Sequence, residues 1–280
     1  MTRNKSFRAD GPLLYLIATP IGNLQEFSSR ALDVLSQVDI VAAEDTRNAG
    51  FLLNHFGVKK ELYSLREHNE KEGSRHIVEL LKNGKKVAYM SDAGYPGISD
   101  PGCLLVKEVI ANDIPVSTVS GSSALLNALV ASGLDTDHFF FYGFLSAKDS
   151  EAVDEISSFK NLPYTVILYE APHRIGRTLK LLLENIGNRR ICLARELTKI
   201  NEEYIRGYLE EIVEIDYATI RGEIVLLIEG NKNEIIIDDD KIIKRVNYLM
   251  SLGLSKKDAI NVTAEQFSLN KNYVKKLVLF

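Results

Sequence analysis

Along the first 120 residues, short runs of Val, Ile, Leu and Tyr alternate with longer stretches whose apolar positions recur every three or four residues. The runs at 13–18, 39–43, 61–64, 86–91 and 115–119 have the length of strands. Between them "SSRALDVLSQV", "TRNAGFLLNHF", "NEKEGSRHIVELL" and "GCLLVKEVIAN" carry the helical period. Such alternation predicts a mostly parallel sheet covered by helices. From "FFFYGFL" at 139–145 the rhythm changes. A strand at 164–169 and a helix near 172–185 precede three closely spaced strands at 190–195, 203–209 and 223–229. Strands with little chain between them pair antiparallel, so the second half is expected to hold a mixed sheet.

The tail differs again. "DDDKIIKRVNYLM" sets acids at a helix start, spaces Ile242, Ile243, Val246, Leu249 and Met250 along one face, and meets a stop at Gly253. Ser255 and Asp258 suit the start of a second helix and "NKNYVKKLVLF" a third. Three short helices resemble a helix-turn-helix module, and equally a small bundle. The expected fold class is α/β. Two αβα domains are expected at 12–122 and 123–232, the N-terminal sheet mostly parallel and the C-terminal one mixed, followed by a basic helical module at 233–280.

Composition narrows the class. The chain has 280 residues with 45% apolar side chains, enough for two cores, and ordinary Gly and Pro counts argue against a fibrous or disordered protein. The opening "MTRNKSFRAD" is polar, and "LLYLIA" is too short for a signal core or a membrane span, so a soluble cytoplasmic protein with no membrane partner is expected. Cys103 and Cys192 lie far apart with no CxxC, which predicts buried free thiols and no metal site. Residues 241–280 carry eight Lys or Arg against two acids, a balance of +6. The whole chain stands at −4, so the first 240 residues hold −10. An acidic body with a basic tail suits a tail that meets a polyanion, or simply a solvated helical face.

In open α/β sheets ligands collect beyond the carboxyl ends of the strands. Those ends are polar here: "ATPIGN", "AEDTR", "REHNE", "SDAGYPGISDPG" and "SGSSA" in the first half, "YEAPHR" and "ARELTK" in the second. Seven such ends point to one extended site. The glycine-rich loop at 91–102 lacks the GKS/T of a P-loop, and Gly94, Gly97 and Gly102 do not fit GxGxxG. Its only formal charges, Asp92 and Asp100, repel a pyrophosphate. A nucleoside-like ligand with a positive charge suits it better, and S-adenosylmethionine, with its sulfonium, is such a ligand. Loop aspartates also serve as turn and helix caps.

"LYLIATPIGNL", "AEDTRNAGFLLNHFG", "REHNE", "SDAGYPGISDPG", "FYGFLSAK", "YEAPHR" and "RELTKINEE", in that order over residues 12–230, resemble the ribosomal-RNA-modifying branch of the tetrapyrrole methylase-like (class III) methyltransferases. The resemblance implies a homodimeric enzyme that moves a methyl group from S-adenosylmethionine to the 2′-hydroxyl of a cytidine in the decoding region of 16S RNA, within the small ribosomal subunit. It implies a cofactor held in the cleft between the two αβα domains. The cofactor contacts it implies are Pro20, Ala93, Gly94, Tyr95, Ile98, Ser123, Ala124, Glu170 and Leu197. Three departures stand out: Tyr95 where the family commonly has Thr, Ser120 and Ser122 where it has prolines, and an acidic stretch after Lys148 where a basic residue is common.

A ribose hydroxyl is a poor nucleophile that must lose its proton, so an acceptor at the rim is expected. The candidate catalytic residues are Asp45, His68 and Lys199, with Glu67 beside them; Lys199 serves only if its pKa is lowered. Asp45 and Arg47 also read as a helix cap and a surface pair. Arg47, Arg174, Lys256 and Lys257 are the candidate RNA contacts, while Arg174 and Arg195 could instead pair with Glu170 and Glu196. A tetrapyrrole methyltransferase and a non-catalytic, metabolite-sensing nucleic-acid binder are the alternatives.

Overall fold

A computed structural model describes residues 11–217, 220–232, 239–267 and 269–278. The chain divides into two compact units, Met1–Gly230 and Asn231–Phe280.

The first unit contains two five-stranded sheets. β1 (Leu13–Ile17), β2 (Ile40–Ala43), β3 (Glu61–Ser64), β4 (Lys86–Met90) and β5 (Val116–Val119) form one, in the order β3-β2-β4-β1-β5, every pair parallel. Side chains alternate across it as the period of a strand requires. Ile17, Val41, Ala43, Ala88 and Met90 face α1 (Ser29–Gln37) and α2 (Thr46–His55). Leu14, Ala42, Val87 and Tyr89 face α3 (Glu70–Lys82) and α4 (Cys103–Ala111). Neighbouring strands β1 and β4 thus send their following helices, α1 and α4, to opposite faces. The crevice of a doubly wound sheet opens at such a switch point.

α5 (Ala124–Ser132) starts on Ser123, whose hydroxyl accepts from Leu126 N–H, and ends at Gly133 in the left-handed conformation. It lies on the second sheet, with Ala128 and Leu129 against Ile167, Cys192, Ala194, Val225 and Leu227. That sheet runs β6 (Phe139–Phe144), β7 (Thr165–Glu170), β10 (Ile224–Ile228), β8 (Arg190–Arg195) and β9 (Glu203–Tyr208). Only β6 and β7 are parallel; the other pairs are antiparallel. α6 (Asp149–Phe159), α7 (Ile175–Ile186) and the short α8 (Leu209–Ile212) cover its other face through Val166, Leu168, Leu193 and Leu226. The fold is therefore the expected pair of αβα layers with one parallel and one mixed sheet.

Among its described residues the second unit has three helices, α9 (Asp239–Ser251), α10 (Lys256–Gln266) and α11 (Lys271–Val278), around Ile242, Val246, Leu249, Ala259, Ile260, Ala264 and Val274. Ser255 caps α10 by accepting from Asp258 N–H. The thiol expectation needs one correction: Cys192 is buried beneath α5, but Cys103 opens α4 with its side exposed, because the helix turns Leu105 and Val109 inward instead. Among the described residues no helix is long and apolar enough to cross a membrane.

Candidate functional site

The glycine-rich loop is fixed at both ends. Where it leaves β4, Thr19 and Gly94 exchange backbone hydrogen bonds at 2.9 and 3.1 Å, so the loops after β1 and β4 are joined chiefly through main chain, with one side-chain bond from Thr19 Oγ1 to Ser91 O added. Where it enters α4, Glu70 Oε1 accepts from the N–H groups of Gly102 and Leu104 at 2.8 and 3.1 Å, a cap lent by α3. Gly102 sits at φ +130°, and a Cβ there would stand 2.8 Å from the Tyr89 ring, so only glycine fits. The Tyr89 hydroxyl donates to Pro101 O at 3.1 Å.

The loop after β5 closes the same side. Gly121 rests on the β1 exit so closely that a Cβ would lie 2.9 Å from Ala18 O. Its N–H donates to the Tyr95 hydroxyl at 3.2 Å, so the bulky side chain of this position links the glycine loop to the turn. Ser122 donates its hydroxyl to Glu26 Oε2 at 2.7 Å and pins the turn after β5.

Together with strand ends of the second sheet these loops enclose a cavity of about 650 Å³. Ala93, Gly94, Tyr95, Ile98, Ser123, Ala124, Glu170 and Lys199 line it, eight of the residues anticipated from sequence. Asp45, Arg47, His68 and Leu197 are not among its lining. Leu197 is buried in the core behind it, and Pro20 lines a smaller neighbouring cavity. Glu44, Phe144, Tyr169 and Glu223 also line the large cavity, and sequence reasoning missed them. Glu44 lies inside the "AEDTR" string that carried the resemblance, but only its neighbours Asp45 and Arg47 were singled out. Glu223 escaped because it opens an antiparallel strand whose amino end, by the register of Ile224 with Glu170 and Arg195, lies beside the carboxyl ends of β7 and β8.

The electrostatics are dominated by carboxylates. Burial, with the charge of Glu44 next in weight, pushes the Asp100 carboxyl up to about 6. Glu44 is raised by burial and by Asp92. Tyr169 is pushed up to about 12, chiefly by burial. Ser99, Glu196 and Thr198 hold positive φ angles of 61°, 50° and 68°, a concentration of backbone strain around this cavity and the turn after β8.

The proposed acid-base residues fare unequally. Lys199 Nζ lies 2.8 Å from Glu196 and 3.8 Å from Glu223, and the Glu196 hydrogen bond holds it above the usual lysine range. The lowered pKa its use as a base requires is absent. Asp45 caps α2 by accepting from Arg47 N–H at 2.8 Å and pairs with the Arg47 guanidinium at 2.5 Å, which holds its carboxyl far below the usual range. His68 lies in a short turn, Glu67–Asn69. Arg174 donates to Glu170 at 2.5 Å, and the buried Glu170 carboxylate also accepts from Thr178 Oγ1 and Ala171 N–H, so its bonding is filled from within the chain. Arg195 pairs across the β8–β9 ladder with Glu203 at 2.5 Å, not with Glu196. Lys256 and Lys257 are exposed in the first turn of α10. Among the described residues no group of three or more His, Cys, Asp or Glu is placed to hold a metal ion.

A parallel sheet and a mixed sheet share one acidic, glycine-lined cavity, and the family match places this arrangement among methyltransferases. The model of the Tetrapyrrole (Corrin/Porphyrin) Methylases matches residues 13–213, and the chain belongs to that family. It is 40% identical over 283 residues to ribosomal RNA small subunit methyltransferase I of Bacillus subtilis, covering 98% of this chain and 97% of that one. A crystal structure of the methyltransferase CobJ superposes with a TM-score of 0.60 at 16% identity, covering 81% of this chain and 97% of that one. The uroporphyrin-III C-methyltransferase of Thermus thermophilus, complexed with S-adenosylhomocysteine, gives 0.55 at 17% identity over 78% and 97%. The cofactor expected from the sequence, S-adenosylmethionine, accords with a family in which a solved member holds that donor's demethylated product.

Proposed function

We propose that this chain is a cytoplasmic enzyme that methylates 16S RNA of the small ribosomal subunit, at the 2′-hydroxyl of a cytidine in the decoding region, with S-adenosylmethionine as donor. The observation that carries this reading is the 40% identity, over nearly the whole of both chains, to a protein named ribosomal RNA small subunit methyltransferase I. The cavity agrees with the donor: its lining offers Glu44, Asp92, Asp100 and Glu223 to a cation, and glycine-rich backbone to an adenosine. The donor supplies a methyl group on a sulfonium, ready for in-line transfer.

The protein's part is to hold and to take a proton. In this reading domains 12–122 and 123–232 clasp the donor between them. Backbone at Ala93, Gly94, Ser123 and Ala124 seats it, and Glu170 fixes the β7 exit through its bonds to Arg174 and Thr178. Asp100, held at about 6, is an ionised carboxylate at neutral pH with more affinity for a proton than an ordinary aspartate. It replaces Asp45 and Lys199 as the acceptor for the hydroxyl proton. Lys199, kept cationic, steadies Glu196 and Glu223 at the rim.

The test is transfer of labelled methyl to small subunits lacking the modification, with free ribosomal RNA and a uroporphyrinogen as parallel acceptors. Label recovered as 2′-O-methylcytidine is expected; label on the tetrapyrrole alone refutes the RNA reading. The basic tail serves as the electrostatic grip. Deleting 231–280 is expected to weaken subunit binding on the order of 100-fold and to flatten its salt dependence, with donor affinity intact by calorimetry. A homodimer belongs to the same reading. Leu126 and Val130, exposed one turn apart on α5, offer apolar surface to a second copy, and light scattering measures the mass.

A further inference from the structure

Beside the large cavity lies a second one of about 210 Å³, and the two share a single lining residue, Asp92. Its lining is largely apolar, with Pro20, Leu24, Leu52 and Met90 beside Thr19 and Ser91. At its edge Phe51 is 70% exposed on α2, an aromatic ring left largely uncovered by the chain. Its polar edge is made by Asn48 and Asp92. Asp92 Oδ2 accepts from Asn48 Nδ2 at 2.9 Å, and Oδ1 accepts from Asp45 N–H at 3.2 Å.

A carboxylate has about four acceptor sites, so these two bonds leave Asp92 able to accept more. Asn48 retains its carbonyl oxygen and a second amide N–H. The cavity thus combines an open aromatic ring, a largely apolar lining and an edge that accepts strongly through a negative charge and donates through the remaining Asn48 N–H. A flat ring carrying an exocyclic amine next to a ring nitrogen matches that edge: the amine donates to Asp92 and the ring nitrogen accepts from Asn48. Unstacked bases of single-stranded RNA are held in this way, by stacking on an aromatic side chain and hydrogen bonds to the base edge.

We propose that this smaller cavity seats the amino-bearing base of the nucleotide being methylated, with Phe51 as stacking face and Asn48 and Asp92 as base readers. The inference rests on the RNA reading above. Because Asp92 belongs to both walls, a base in the small cavity leaves its own ribose at the border of the donor cavity, where a 2′-hydroxyl has to be. Neither Phe51 nor Asn48 lines the donor cavity, so changing them separates acceptor from donor.

The experiment compares wild type, Phe51→Ala, Phe51→Trp and Asn48→Ala for labelled methyl transfer to unmodified small subunits, and measures S-adenosylmethionine affinity by calorimetry. Phe51→Ala is expected to lower kcat/KM for subunits by about 10- to 100-fold, with Phe51→Trp recovering much of the loss and donor affinity equal in all four. Asn48→Ala is expected to fall in between. Unchanged kcat/KM in Phe51→Ala overturns the proposal while leaving the RNA reading intact. A matching loss of donor affinity also overturns it, by making the cavity part of the donor site. Wild type that labels the tetrapyrrole and not the subunits overturns both readings. Phe51 is largely exposed, and the Trp variant with its circular dichroism spectrum separates lost stacking from lost folding.

Discussion

The two sheets of the first unit supply one cavity by different means. In the parallel sheet every carboxyl end lies on one edge, and the loops there are joined largely by backbone, as in the Thr19–Gly94 bridge and the rest of Gly121 on Ala18. In the mixed sheet three carboxyl ends, of β6, β7 and β8, and the amino end of β10 reach the cavity edge, and side-chain charges hold two of them: Glu170 with Arg174 and Thr178, Lys199 with Glu196. Parallel topology already brings the loops together, and side chains such as Glu70, Tyr95 and Ser122 only add to it. A mixed sheet must secure each one separately, so the second half of the site is expected to be the more fragile under single substitutions.

The strongest way to break that contrast is Glu170→Ala. It strands a largely buried guanidinium and a buried hydroxyl, and is expected to destabilise the protein by about 3–5 kcal/mol in urea unfolding. The counterpart in the parallel half, Thr19→Ala, removes one side-chain bond to Ser91 O at 3.2 Å and leaves the backbone bridge in place, so about 1 kcal/mol is expected. Equal losses at the two positions erase the distinction.

Asp100→Asn has a smaller, pH-dependent effect. Its carboxyl is held at about 6, above the ordinary aspartate value, so the folded state binds the proton more tightly than the unfolded chain. Stability from this group falls as pH rises from about 4 to about 6, and the cost is fully present above that. The variant is therefore expected to melt about 2–4 °C higher at pH 8 with little gain at pH 4, while losing the acidic limb of its rate profile near pH 6. Smallest of all is Glu223→Gln. Its side chain is 82% exposed, so donor affinity is expected to fall only about 2- to 5-fold in calorimetry. A larger drop makes the amino end of β10 the equal of the glycine loop.

The sheets themselves were legible in the sequence because strand and helix periods changed where the topology changes: runs at 13–18 and 86–91 became β1 and β4 with their ends moved by a residue. Much of the cavity was legible too, since a parallel sheet lets polar strand ends be summed without knowing the strand order. The exceptions have physical causes. Glu223 precedes its strand, and no carboxyl-end rule reaches it. Lys199 and Asp45 carry the right functional groups, but partners chosen by the fold, Glu196 and Arg47, set their proton affinity in the wrong direction for a base. Arg195 finds Glu203 through a cross-strand register that adjacency in sequence cannot show.

The exchange of two main-chain bonds between Thr19 and Gly94 also bears on inheritance. A junction written in backbone atoms leaves the neighbouring side chains free to drift, so lineages can keep the path of the chain while losing nearly every letter that once accompanied it. This chain and CobJ have one architecture at 16% identity, a likeness of path with few letters in common. In such a fold the route the polypeptide takes around its ligand is held more firmly than its alphabet.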